Sequence, residues 1–162
     1  MNTEKKMFNN GNYESPAAET QIEEADSDTT VYPNAYYRVS VKAVIKDGDG
    51  HILLVREHNN YRVLPGGGID HGETIEEALQ REIAEEVGND IRVCSAKNIG
   101  VKTFYTRTHK AWFMWLIFEV QLEDIDKIKI SDSVEFVEVN ALKDSEYESE
   151  RNLYNLLNSA SM

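Results

Sequence analysis

The chain has 162 residues, 41% apolar and 28% charged, which fits one globular domain rather than two. Its 29 acidic and 17 basic residues give a formal net charge of −12, which argues against binding to long nucleic-acid backbones. No apolar run reaches membrane-spanning length and no secretory signal is visible at the N-terminus. The single cysteine, Cys94, forms no intrachain disulfide, so we expect a cytoplasmic protein.

The first part of the chain differs in composition from the rest. Residues 1–33 are rich in Asn, Glu, Asp, Ser and Thr and contain few branched apolar side chains. Such a segment buries little surface by itself. We therefore predict an acidic, polar N-terminal extension at residues 1–33 and one folded domain at residues 34–162.

The domain is predicted to begin with strands. Apolar and mostly polar residues alternate over residues 37–45, the period of a half-buried strand. Turn residues at 47–50 and apolar residues at 51–56 indicate a hairpin with a return strand. A short strand at 61–64 leads into Pro-Gly-Gly-Gly at 65–68, a loop whose backbone can approach a ligand closely.

A helix is predicted over residues 74–87. Thr74 and Glu77 have the spacing of a capping box, and an apolar stripe recurs every fourth residue, formed by Leu79, Ile83 and Val87. Gly88 follows as a C-terminal stop.

The remaining elements complete the fold prediction. Strands are expected at 91–95, 98–105, 109–121 and 135–139, with a loop at 122–134 and a terminal amphipathic helix at 149–159. Strands that alternate with two helices predict an α/β fold, with a mixed sheet between helices.

Three acidic residues of the first helix form the strongest functional signal. Glu82, Glu85 and Glu86 are spaced so that their carboxylates project together. By helix geometry Glu86 lies beside the apolar stripe, Glu82 further round and Glu85 further still. A bare set of this kind is most often a solvated helix face. The alternative is a site for Mg²⁺ or Mn²⁺, which prefer hard oxygen ligands, with Arg81 holding a neighbouring carboxylate.

The spacing of the whole stretch favours the metal site. It resembles the Nudix box, Gly-x5-Glu-x7-Arg-Glu-U-x-Glu-Glu-x-Gly-U, where U is a bulky aliphatic residue. Eight of nine specified positions match and the ninth is Asn89 instead of an aliphatic residue, the matching residues being Gly67, Glu73, Arg81, Glu82, Ile83, Glu85, Glu86 and Gly88. The chain thus resembles the Nudix (MutT-like) hydrolase family over residues 36–158.

The resemblance implies a fold and an activity. The fold is an α/β/α sandwich around a mixed β-sheet. The activity is Mg²⁺- or Mn²⁺-dependent hydrolysis of a nucleoside diphosphate linked to another moiety, by attack of water at phosphorus. Gly67, Glu82, Glu85 and Glu86 would hold metal, Glu82 or Glu86 would take the proton from water, and Arg81 would assist catalysis. Glu73 would organise the loop and the helix start.

Substrate contacts are less sharply indicated. Arg56 could reach a phosphate, and Tyr105 has a position similar to that of a tyrosine in Nudix hydrolases of diadenosine polyphosphates. The alternatives are ordinary surface charge for Arg56 and a core role for Tyr105. Asp132 and Glu135 are outside candidates for a further acid.

Several functions remain open under this resemblance. One alternative is a non-catalytic Nudix-fold sensor of nucleotides or nucleotide sugars, although Glu82, Glu85 and Glu86 all remain, which favours an enzyme. RNA-end hydrolysis and removal of oxidised nucleoside triphosphates share the same chemistry. The expected partner is a small-molecule nucleotide, with no long nucleic acid and no membrane, and a homodimer stays open.

Overall fold

The computed structural model describes residues 37–57, 60–107 and 109–159. The N-terminal extension predicted at residues 1–33 lies outside these ranges. Within them, strands and helices follow in the order β1 (Tyr37–Val44), β2 (Ile52–Arg56), β3 (Arg62–Val63), α1 (Ile75–Glu86), β4 (Val93–Thr106), β5 (Ala111–Leu122), β6 (Val134–Val137) and α2 (Glu148–Ser159). Short 3₁₀ turns cover Ile125–Lys127 and Val139–Leu142.

The strands form two three-stranded sheets. The first has the order β1-β5-β4, with β1 parallel to β5 and β4 antiparallel to it. The second has the order β3-β2-β6 and is antiparallel. The mixed sheet is therefore confirmed, and the apolar run that begins at Ala111 forms its central strand.

The two helices cover opposite faces of this framework. Side chains alternate between the two faces of a strand. In β2, Leu53 and Val55 belong to the core cluster that contains Leu79 and Ile83 of α1, whereas Ile52 and Leu54 belong to the cluster that contains Leu153 of α2. This arrangement is the predicted α/β/α sandwich.

Helix α1 forms as its sequence predicts. The Thr74 side chain accepts a hydrogen bond from the Glu77 backbone N–H, and the Glu77 carboxylate accepts one from the Thr74 N–H at 2.8 Å. The helix ends before Gly88, whose N–H binds the Ile83 carbonyl. The cap and the apolar stripe together fix which side of α1 faces the sheets.

Two strand predictions are wrong. The predicted hairpin partner of β1 is instead placed in the second sheet. Beyond the end of β1, the two segments meet through an isolated bridge between Lys46 and Ile52 and through a hydrogen bond from the Leu53 N–H to the Ile45 carbonyl at 2.9 Å. The two strands predicted at 91–95 and 98–105 are one long strand, β4, which is paired without interruption at 96–97 and has register irregularities at Val93/Ser95 and Asn98/Gly100. Among the described helices, none combines the length and apolarity that a membrane span requires.

Candidate active site

Three carboxylates of α1 differ sharply in exposure. Glu82 is buried, with 8% of its surface exposed. Glu86 is half-buried, and the Glu85 side chain is 60% exposed. The helix geometry predicted Glu86 as the most buried of the three; the structure gives that place to Glu82, because its carboxylate packs under the glycine-rich loop.

The glycine-rich loop lies along the free edge of β1. The backbone N–H groups of Val41 and Ala43 donate to the carbonyls of Gly67 and Pro65, each at 2.9 Å. This pairing brings the loop against α1, where the Gly66 N–H donates to Oε2 of Glu86 at 2.7 Å. One turn of α1 is thereby bound to the loop.

Gly67 is in close contact with Glu82. A Cβ atom at Gly67 would lie only 2.4 Å from Oε1 of Glu82, so the carboxylate occupies the space a side chain would fill. The Gly67 carbonyl accepts one hydrogen bond from Val41, and a carbonyl oxygen has a second lone pair. The structure thus brings together three of the predicted metal-binding residues, namely Gly67, Glu82 and Glu86, with Glu85 at their rim.

Arg81 joins the helix to the last residue of the glycine-rich loop and to the segment before the helix. Its guanidinium binds both carboxylate oxygens of Glu73, at 2.8 and 2.9 Å, and donates to the Gly68 carbonyl at 3.0 Å. It also binds Oε1 of Glu82 at 2.6 Å. Glu73 in turn accepts the Asp70 N–H at 2.9 Å, so it organises the segment before the helix. Such forked, charge-assisted bonds fix orientation as well as position.

The pKa values of Glu73 and Glu86 are shifted in opposite directions. The hydrogen bonds from Arg81 and from the Asp70 backbone hold the pKa of Glu73 at about 2. Burial raises the pKa of Glu86, opposed by the Gly66 hydrogen bond and by the charge of Lys42, and the nearby Glu82 charge adds to the increase. Burial and like charge therefore disfavour the ionised cluster. A divalent cation would relieve that cost, and the donors are the hard oxygens that Mg²⁺ and Mn²⁺ prefer.

The residues predicted to contact substrate have other partners. The Arg56 guanidinium donates to the carbonyls of Asp132 and Asn60, at 2.8 and 2.9 Å, and to the Glu135 carboxylate at 2.7 Å. Tyr105 is 49% exposed, and its ring centre lies 5.7 Å from that of Trp112. Among the described contacts, neither residue touches the α1 carboxylates, and their substrate roles stay predictions.

Sequence reasoning missed Lys42. This β1 residue is only 8% exposed, and its ammonium donates to the carbonyls of Leu64 and Gly66. The alternation over residues 37–45 assigned its side chain to a polar face. The only signal was a lysine flanked by apolar residues.

A second cluster of ligand-type side chains lies in the turn after β1. Ligand atoms of Asp47, Asp49 and His51 lie within 4.8 Å of one another. Oδ1 of Asp47 accepts the N–H groups of Asp49 and His51, at 3.0 and 2.8 Å. These bonds are those of a turn stabilised by an aspartate.

Comparison with known proteins decides the family. The sequence model of the NUDIX domain matches residues 36–157. The chain belongs to the Nudix family.

Curated relatives and solved structures agree with this assignment. The chain is 41% identical over 88 residues to nucleoside triphosphatase NudI of Enterobacter sp. (strain 638), covering 46% of this chain and 62% of the relative. It is 39% identical over 64 residues to RNA pyrophosphohydrolase of Wolbachia sp. subsp. Brugia malayi (strain TRS), covering 38% and 40%. The chain thus spans less than two thirds of either relative.

The fold is also similar to that of known Nudix structures. The NUDIX hydrolase from Nitrosomonas europaea aligns with a TM-score of 0.60 and 19% identity, over 76% of this chain and 90% of that one. The glycine-rich loop and α1 of this chain therefore carry a Nudix box within a Nudix fold.

Proposed function

We propose that this Nudix protein is a divalent-metal-dependent pyrophosphohydrolase that cleaves a nucleoside diphosphate linked to another moiety. One observation carries the proposal: Glu82 and Glu86 converge on the Gly66–Gly67 segment, through the close approach of Glu82 to Gly67 and the 2.7 Å bond from Gly66 to Glu86. The named relatives, a nucleoside triphosphatase and an RNA pyrophosphohydrolase, support this class of substrate.

The residues suit Mg²⁺ or Mn²⁺ as the cofactor. The Gly67 carbonyl and the carboxylates of Glu82, Glu85 and Glu86 would hold it. When bound, the cation neutralises phosphate oxygens and lowers the pKa of its water. A substrate of several phosphates needs this cation because the chain itself carries a net charge of −12.

The protein groups divide the remaining work. Arg81 binds Oε1 of Glu82 and fixes that carboxylate. Oε2 of Glu86 accepts the Gly66 N–H, so Oε1 of Glu86 is the atom left to take the proton from the attacking water. Because the described contacts occupy only Oε2 of this carboxylate, we assign the general base to Glu86. The water oxygen then bonds to phosphorus, and the bond to the bridging oxygen breaks.

Substrate size follows from charge. A long RNA would meet a protein without excess cations, so the proposal favours small nucleotide substrates such as nucleoside triphosphates, nucleotide sugars and dinucleoside polyphosphates. With one cysteine, we place the reaction in a reducing compartment, the cytoplasm.

The test is hydrolysis of that substrate panel, extended with a 5′-triphosphorylated RNA, in Mg²⁺, in Mn²⁺ and in EDTA. We expect that at least one small nucleotide of the panel is hydrolysed and that EDTA abolishes this hydrolysis. Glu86→Gln should lower kcat by about 100-fold or more, whereas Glu123→Gln, an exposed glutamate after β5, should not change it. Activity that survives EDTA, or that survives in the Glu86 variant, refutes the proposal. Nucleotide binding without turnover would instead support the sensor alternative.

A further inference from the structure

Lys42 occupies an unusual place for a lysine. It is the only lysine among the described residues that are buried. Its neighbours Val41 and Ala43 face the α1 core, so its own side chain points to the other face of β1. There its Nζ lies 5.7 Å from the centre of the Trp115 ring. A lysine is rarely buried unless its ammonium has partners.

Three consecutive residues of β1 hold four consecutive carbonyl groups of the loop. The two outer residues use backbone N–H groups, which bind alternate carbonyls, those of Gly67 and Pro65. The ammonium of Lys42 binds the remaining two, the Leu64 carbonyl at 3.3 Å and the Gly66 carbonyl. Leu64 and Gly66 are themselves buried, where a carbonyl that loses its donor is strongly disfavoured.

Gly66 connects Lys42 to Glu86 through two hydrogen bonds. The N–H of Gly66 donates to Oε2 of Glu86 at 2.7 Å, while the carbonyl of the same residue accepts from Lys42. Gly66 has a φ of 122°, and a Cβ there would lie 2.3 Å from the Val41 carbonyl oxygen. The peptide groups on both sides of Gly66 are therefore fixed in orientation.

The surrounding charges are consistent with an ammonium ion at this position. Burial lowers the pKa of Lys42, and the charges of Glu86, Glu57 and Glu82 oppose that decrease. Removing the ammonium would take away a positive charge that interacts with these three carboxylates.

We propose that Lys42 is a positioning residue for hydrolysis: its ammonium fixes Gly66, and Gly66 holds the Glu86 carboxylate in its reactive orientation. The kinetic part of this inference rests on the proposed function. The geometric part, from Lys42 through Gly66 to Glu86, does not.

The experiment compares three variants by two measurements. K42M keeps the approximate length of the side chain and removes its donors, and K42R keeps the charge. K46M removes an exposed lysine that follows the end of β1 and pairs with Glu119. The first measurement is the amide proton shift of Gly66 in the metal-free protein, which reports its bond to Glu86. The second is kcat and KM on the best substrate of the panel.

We expect K42M to move the Gly66 amide proton upfield, as E86Q also should, and to lower kcat about 10- to 100-fold with KM changed less than about threefold. K42R should recover part of both effects, and K46M should match the wild type. A Gly66 resonance that stays in place in K42M overturns the proposal, and so does a shifted resonance with unchanged kcat.

The two proposals fail in different ways. A wild-type protein inactive on the whole panel refutes the proposed function, and the Gly66 resonance then still decides the geometric link. If K42M does not fold, K42R decides: a partial upfield shift with a partial loss of kcat supports the proposal, and a wild-type resonance with lowered kcat overturns it.

Discussion

Replacing Gly67 by alanine tests whether the contact between the glycine-rich loop and Glu82 sets the geometry of the site. Gly67 is not among the described residues with positive φ, so alanine meets no backbone strain there. Its Cβ would, however, lie 2.4, 2.7 and 2.8 Å from Oε1, Cδ and Oε2 of Glu82. Ordinary contact begins at 3.4 Å, so the carboxylate must withdraw by roughly 1 Å, against its 2.6 Å bond to Arg81.

A misplacement of that size costs on the order of 100-fold in rate, or about 2.7 kcal/mol in activation free energy. Overpacking should also lower the free energy of unfolding by about 1–3 kcal/mol. The assay is kcat/KM on the best substrate, together with urea unfolding of the same sample. Gly48→Ala is the matched control, because a Cβ at Gly48 meets nothing within 4 Å. A Gly67→Ala protein with kcat/KM within about threefold of wild type would show that Glu82 does not need its present position.

Two further predictions concern ion pairs. Burial acts to raise the pKa of Glu150, but hydrogen bonds from Arg62 and Ser145 outweigh it and bring the pKa from 4.5 to about 2. Because the pKa is lower in the folded protein, ionised Glu150 stabilises the fold above pH 4.5, and this stabilisation is lost as the pH falls toward 2. Because the side chain is 1% exposed, this contribution to the free energy of unfolding reaches about 3 kcal/mol. Glu150→Gln should therefore reduce the loss of stability toward urea between pH 5 and pH 3. An unchanged pH dependence would show that the Arg62–Glu150 ion pair does not stabilise the fold. Arg81→Lys keeps the charge but loses the two parallel hydrogen bonds to the Glu73 carboxylate, so we expect kcat to fall about tenfold. The control is Arg92→Lys, at an exposed residue. Equal kcat in both variants would exclude a positioning role for Arg81.

Local signals predicted α1 and the glycine-rich loop well. The capping box, the apolar stripe and the stop at Gly88 all act within a few residues of one another, so their effect is visible in the sequence. The contact of Arg81 with a neighbouring carboxylate follows from the same short spacing. The same segment contains the Nudix box, which is why the family could be inferred before the fold was known.

Long-range pairing was harder to predict. The segment after the turn at 47–50 could bond to β1 or to distant strands, and its pairing with β6 depends on residues about 80 positions later in the chain. Lys42 was missed for a related reason. Alternation separates two faces of a strand, but it does not show that Leu64, Gly66 and Trp115 cover the second face at Lys42.

Because β1 is hydrogen-bonded to the glycine-rich loop, this strand tolerates few changes in length. An inserted or deleted residue between Val41 and Ala43 would move the side chains on one side of the change to the opposite face of the strand. It would place an aliphatic group where the ammonium now meets two carbonyls. Engineering of new specificity in this scaffold should therefore leave β1 intact and alter the turns around it, such as the one at 47–50.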